Sequence, residues 1–371
     1  MSGFDRDLLA PMKVSSRLGR LIGRFEAAGV DALLVTHLTN IRYLTGFTGS
    51  AAILFVTPDQ VTFVTDGRYG EQAADQLTAT SVDAGIEVGR SAADQRESVQ
   101  RAGEDVARVG LEADHVSWAR QRELGEWFPA AELIPTERLV EELREVKDEG
   151  EVARIEMAAA MADAALAAVR HRLQDGIRER EFAFGLEAEM RRLGADGPSF
   201  DTIVGSGPNG AKPHARPSSR RIGRDDLVVL DFGALVDGYH SDISRTICVG
   251  EPTATQERML EVVTAAQAAG VDVLAAGVSA AEIDRVCRAV ITDAGWGEAF
   301  LHATGHGVGL DIHEAPRVGS GTDATLADGH VVTVEPGVYL PEHGGVRVED
   351  TLVVTPDGAR ALTHSPKYWT I

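Results

Sequence analysis

Cysteine is nearly missing from this chain: Cys248 and Cys287 are the only two in 371 residues, and their spacing matches no paired motif. That excludes a disulfide framework and a thiolate zinc site, and it points to a reducing compartment. Basic charge is also short, with 36 Lys and Arg against 57 Asp and Glu, for a formal net charge of -21. Such a surface repels nucleic acid and anionic membrane, so neither is expected as a partner; its plain consequence is solubility. No apolar run approaches the about 20 residues that cross a bilayer, because Asp163 interrupts the alanine-rich residues 157–169. Asp5 and Asp7 stand where a secretory signal would need an apolar core. These absences leave a cytoplasmic protein, long enough for about two domains with cores of their own.

The first part reads as a small α/β domain. Helical periodicity over residues 15–28 ends at Gly29, and apolar runs at 31–36, 51–56 and 60–65 predict strands, the last closing in Asp66-Gly67-Arg68-Tyr69. Charged residues dominate 139–151, which puts the boundary near 145 and divides the chain into 1–145 and 146–371. The second part opens with a long helix over 148–173 and another over 179–193. Strand and hairpin signals follow, then helices over 255–269 and 279–294, then more strands. That order implies a doubled α+β unit without any repeat in the sequence itself.

Four carboxylates and one histidine in the last third lie in contexts that would be costly for a lone charge. Leu227-Val228-Val229-Leu230-Asp231 is a strand ending in an aspartate, and Asp237-Gly238 is a hairpin turn that brings a return strand carrying Asp242 back beside it. Two neighbouring carboxylates without a cation would force one to keep its proton. Taken singly, Asp231 is a strand-end cap and Asp242 a surface partner for Arg245. Asp231-Phe232-Gly233 also spells a kinase metal motif, but no His-Arg-Asp loop or glycine-rich lysine loop accompanies it. His302, His306 and His313 fall in a glycine-rich segment, where backbone can approach a ligand closely. The zinc-protease pattern fails there, because Arg317 replaces the second histidine after His313-Glu314. The apolar run 330–335 ends in Glu335-Pro336-Gly337, and strand alternation sets Arg347 and Glu349 on one face, where a plain ion pair is the simpler reading. Five buried charges need partners, and two dications would balance four carboxylates, which makes the chain a candidate metallohydrolase. Residues 205–210 fit a dinucleotide fingerprint, but Pro213 and Pro217 forbid the helix that should follow, so the segment reads as a loop delivering His214.

These residues resemble the pita-bread metallopeptidases, and among them the Xaa-Pro dipeptidases (prolidases) and Xaa-Pro aminopeptidases. The likeness covers nearly the whole chain, including Asn40-Ile41-Arg42-Tyr43-Leu44-Thr45-Gly46 and Asp66-Gly67-Arg68-Tyr69 in a creatinase-like N-terminal α/β domain. The resemblance implies an α+β pita-bread catalytic domain with two divalent ions, Mn²⁺ first and Co²⁺ or Zn²⁺ as alternatives. Asp231 would bind one ion, His306 and Glu335 the other, and Asp242 and Glu349 both. A water between the ions would be the nucleophile, with Glu335 taking its proton. His214 and His313 would hold the scissile carbonyl; His302, Arg347 and Tyr339 would contact substrate, and Asp66 is a further candidate. Peptides with proline second would be the substrates and a homodimer the assembly. Aminopeptidase action, mixed with dipeptidase action, is the leading expectation; a strict dipeptidase and a pita-bread binding module that has lost catalysis are the alternatives.

Overall fold

The computed structural model describes residues 4–371, and the chain divides into two compact units, Met12–Arg144 and Glu145–Ile371, the second also including the chain up to Pro11. The first stretch leaves the N-terminal unit because its polar groups are satisfied elsewhere. Arg6 pairs with Asp196 at 2.7 Å and Asp237 at 3.0 Å, and Arg154 donates to the Ala10 carbonyl at 3.0 Å.

In the N-terminal unit a six-stranded mixed sheet runs in the order Gly85–Gly89, Val61–Asp66, Ala52–Val56, Ala32–Val35, Arg108–Glu112, Glu132–Thr136. All four residues of Ala32–Val35 are buried, as a central strand covered on both faces requires. The helix expected over 15–28 is broken: Arg17–Ile22 and Phe25–Ala28 are separate turns, because Gly23 and Arg24 close the first and Gly29 caps the second in the left-handed region.

The second unit holds two cores, each made by a helix pair laid on antiparallel strands. In the first, Glu149–Val169 and Glu179–Arg192 cover Leu227–Phe232 and Ile243–Cys248; Ala158, Ala162 and Ala165 let the long helix approach closely. An Asp148–Glu151 capping box starts that helix. In the second, Ala254–Asp272 and Ala280–Asp293 cover Val331–Val334 and Asp350–Thr355. This is the doubled α+β unit that the sequence order implies, and an α/β unit precedes it along the chain. Both cysteines are free and buried, and burial pushes their thiols up to about 11 and about 12, so they pack as apolar groups. Among the described residues no helix is long and apolar enough to cross a membrane.

Candidate metal centre

Sheet irregularities aim the acidic side chains. The strand Leu227–Phe232 pairs with Ile243–Cys248, setting Asp231 opposite Ser244. The hairpin turn is where the sequence puts it, with Asp237 at φ 47 and Gly238 at φ 75. The hairpin is not one ladder, however. Ala234–Val236 and Tyr239–His240 belong to a different sheet, so the chain crosses between sheets at Gly233 and again at Ser241 and Asp242. At the crossing a Cβ on Gly233 would lie 1.8 Å from the Ser241 carbonyl oxygen, so only glycine fits. Asp242 leaves this crossing inward and is 5% exposed. Arg245, its expected surface partner, binds Asp350 at 2.7 Å instead.

Glu349 is aimed by a second break. The expected last strand divides into Gly344–Arg347 and Asp350–Thr355, which lie in different sheets. Between them the Glu349 N–H donates to the Ser244 carbonyl at 3.2 Å, and Arg245 donates to the Glu349 carbonyl. Arg347 therefore does not pair with Glu349. Its buried guanidinium binds Asp231 at 2.5 Å, Ser244 at 2.8 Å and the Tyr339 hydroxyl at 2.8 Å.

Ligand oxygens of Asp231, Asp242 and Glu349 lie within 4.8 Å of one another. His306 Nε2 stands 3.5 Å from Asp242 Oδ2 and 3.5 Å from Glu335 Oε1. Asp242 thus belongs to both groupings. His306 Nδ1 is 2.9 Å from the Gly307 carbonyl, an acceptor, so the Nδ1–H donates and the Nε2 lone pair faces the two carboxylates. Burial pushes His306 down to about 4, which keeps the ring neutral. Burial and then neighbouring carboxylates push Asp242 and Glu349 well above the usual carboxylate range; burial, resisted by Arg347, takes Glu335 up to about 8. Two oxygens, Asp242 Oδ1 and Glu349 Oε1, are buried with no hydrogen-bond partner. A lone pair facing carboxylates, orphaned oxygens and clustered like charge all call for cations, and four carboxylates with one imidazole fit hard divalent ions.

The remaining candidates surround a cavity of about 420 Å³. His214, His302, His313, Arg347, Asp231, Asp242, His306 and Glu335 line it, with Phe200, Ile203 and Pro213 as apolar wall. Tyr339 is placed differently from expectation. It is 4% exposed, and its hydroxyl meets Arg347 and His302 Nε2 (2.9 Å), so it braces two site residues rather than facing substrate. Asp66 lies in the N-terminal unit and closes its turn by pairing with Arg68 at 2.7 Å. The 205–210 segment is a strand end followed by a 3₁₀ turn, Gly207–Asn209, and no dinucleotide-binding helix follows it. Glu179, which sequence reasoning missed, organises this loop: its carboxylate accepts from Ser206 N, Asn209 Nδ2 and Ser218 N at 2.8–3.1 Å, on both sides of His214. Its position as the first residue of a helix gave no hint of partners so far along the chain.

His37, His115 and Glu141 form a second cluster of potential ligands, in the N-terminal unit. Its imidazoles stack at 3.6 Å with 11° between planes. An ion cannot lie in the plane of both rings in that arrangement, so the group does not chelate as it stands.

Fold and site together define a pita-bread protein with a carboxylate-rich centre for divalent metal. Residues 17–146 match the creatinase/prolidase N-terminal domain, and residues 153–356 match metallopeptidase family M24. The chain belongs to metallopeptidase family M24, whose members work with a dinuclear divalent metal centre. Among its relatives is the uncharacterized peptidase YqhT of Bacillus subtilis, 41% identical over 95% of this chain and 98% of the relative. An Xaa-Pro dipeptidase from Bacillus anthracis superposes with a TM-score of 0.92 at 39% identity, covering 96% of this chain and 99% of that one. An X-Pro aminopeptidase from Thermotoga maritima gives 0.88 at 33%, covering 96% and 100%.

Stability should report the centre. Above about pH 7.5 the buried histidines are almost wholly neutral folded or unfolded, whereas the Glu335 carboxyl, moved from 4.5 to about 8, holds a proton in the folded chain that the unfolded chain releases. Chelator-stripped protein is therefore expected to lose stability as pH rises from about 7.5 through 8, by up to roughly 1 kcal/mol per pH unit. Excess Mn²⁺ should flatten the decline. Denaturant titrations at several pH values check this, and a flat metal-free profile contradicts it.

Proposed function

We propose that this chain is a two-metal peptidase that hydrolyses the bond before a proline in second position, releasing the N-terminal residue. One observation carries the reading: five donors distant in sequence converge around two buried, unpartnered carboxylate oxygens. Asp231, Asp242, His306, Glu335 and Glu349 would hold the ions, and the oxygen-rich set would favour Mn²⁺. When bound, the cations supply positive charge and a nucleophile at neutral pH.

The protein's own groups do the rest. Arg347 holds Asp231 in place. Glu335 takes the proton from the attacking water on its carboxylate and passes it to the imide nitrogen as the C–N bond breaks. His313 stays neutral because burial lowers its pKa, so an N–H is available to the carbonyl oxygen; His214 approaches the same cavity from the opposite loop. His302 forms part of the wall. Proline's imide nitrogen carries no N–H, so a peptidase that reads extended backbone loses a donor; the Phe200, Ile203 and Pro213 wall replaces it with apolar contact to the ring.

A second reading, strict dipeptidase action, is favoured by Arg317, an exposed cation on the cavity wall that can pair with a free proline carboxylate. Hydrolysis of Gly-Pro and Gly-Pro-Xaa in Mn²⁺ tests both. Cleavage of both peptides is expected, and cleavage of Gly-Pro alone selects the dipeptidase. Metal-loaded protein that leaves both intact refutes the proposal.

A further inference from the structure

Lys147 is a cation that the hydrolytic scheme does not use, and it is deeply buried. Its side chain is 1% exposed and that of its partner Glu314 is 7% exposed. Nζ donates to Glu314 Oε2 at 2.9 Å and to the Glu145 carbonyl at 3.2 Å. The backbone is fixed as well: Lys147 N–H donates to the Gly329 carbonyl at 2.9 Å, and Val146 bridges to His330. A buried ion pair is a poor stabiliser, because desolvation offsets most of its attraction and an apolar pair of equal volume commonly does as well. The position of this pair suggests another use.

Glu314 directly follows His313. While Oε2 takes Lys147, Oε1 accepts from the Asp311 N–H at 3.0 Å, closing a turn with His313 inside it. Gly309 lies against the same carboxylate, where a Cβ would come within 2.5 Å of Oε2. Residues 309–314 thus fold around one carboxylate held from behind by one ammonium. The His313 ring packs edge-on to His306 at 4.4 Å, so its aim depends on the backbone that carries it.

We propose that Lys147 is a positioning residue for His313, fixing through Glu314 the turn that directs the imidazole at the scissile carbonyl. The inference rests on the role given to His313 above. Displacing a reacting group by about 1 Å can cost 10²-fold in rate. Lys147→Met, which keeps the stem and removes the charge, should lower kcat by about 10–100-fold. KM should stay within about twofold, and bound metal per chain should be unchanged, because the lost interaction belongs to the transition state.

The decisive experiment is a kinetic cycle of Lys147→Met, His313→Ala and the double variant, with metal content measured on each. His313→Ala should be slow, and adding Lys147→Met should cost nothing more. If the Met variant does not fold, Lys147→Gln, whose shorter stem and neutral amide weaken the hold on Glu314, goes through the same cycle with the same directions of change. Unchanged kcat in the Lys147 variant, losses that multiply in the double variant, or loss of metal overturns the inference and leaves His313 its role. Normal turnover in His313→Ala overturns that role and the inference with it.

Discussion

Asp242→Ala is expected to abolish peptidase activity and to lower bound metal. Asp242 is the residue common to the two groupings in the centre, within reach of Asp231 and Glu349 on one side and of His306 on the other. Its Oδ1 is buried without a hydrogen-bond partner, which leaves that oxygen available to a cation. On the proposed assignment, removing Asp242 would take away a ligand for the metal and leave Glu349, Glu335 and Asp231 with an altered charge balance. Loss of several kcal/mol of transition-state stabilisation corresponds to a fall on the order of 10³-fold or more. Turnover and metal analysis on the purified variant check this. Near-normal turnover would rule out a shared role for Asp242.

His313→Ala should behave in the opposite way toward metal. His313 lines the cavity and touches His306 only edge-on, so its removal leaves the donor set intact. On the proposed role, what is lost is an N–H donated to the oxygen on which charge develops, a change of about 10²–10³-fold in kcat. Metal content and KM should stay close to those of the unaltered protein. If metal falls instead, His313 is a ligand and the donor set has been misassigned.

Part of this site can be read along the chain. Leu227–Phe232 announces itself as a buried run ending near Asp231, and Asp237-Gly238 has the chemistry of its turn. The five candidate donors each allow a plain local reading, as a strand-end cap or an ion pair, and only taken together do they call for a ligand. The partners of these residues are another matter. Arg347 reads as a neighbour of Glu349 by strand alternation, but the strand breaks at Val348 and Glu349, where the Glu349 backbone bonds across to Ser244 and Arg245. Arg347 then finds Asp231, 116 positions away. Tyr339 looks like a cavity residue until Arg347 and His302 claim its hydroxyl. Glu179 and Lys147 leave no local trace, since Ser206 lies 27 positions from the first and Glu314 lies 167 from the second. Periodicity reports which face is buried; it does not report which distant group completes a hydrogen bond.

The N-terminal unit shows the same limit on a smaller scale. Its strands are legible as apolar runs, but the split of the first helix at Gly23 and Arg24 and the departure of the leading residues to Asp196 and Asp237 are tertiary outcomes. Arg6 alone gives no sign of either partner.

Anomalous scattering from a Mn²⁺-soaked crystal tests the centre most directly. Two peaks are expected, one contacting Asp231 and the other His306 and Glu335, with Asp242 and Glu349 oxygens reaching both. A single peak, peaks elsewhere, or none at saturating Mn²⁺ would contradict a paired-ion site in this chain.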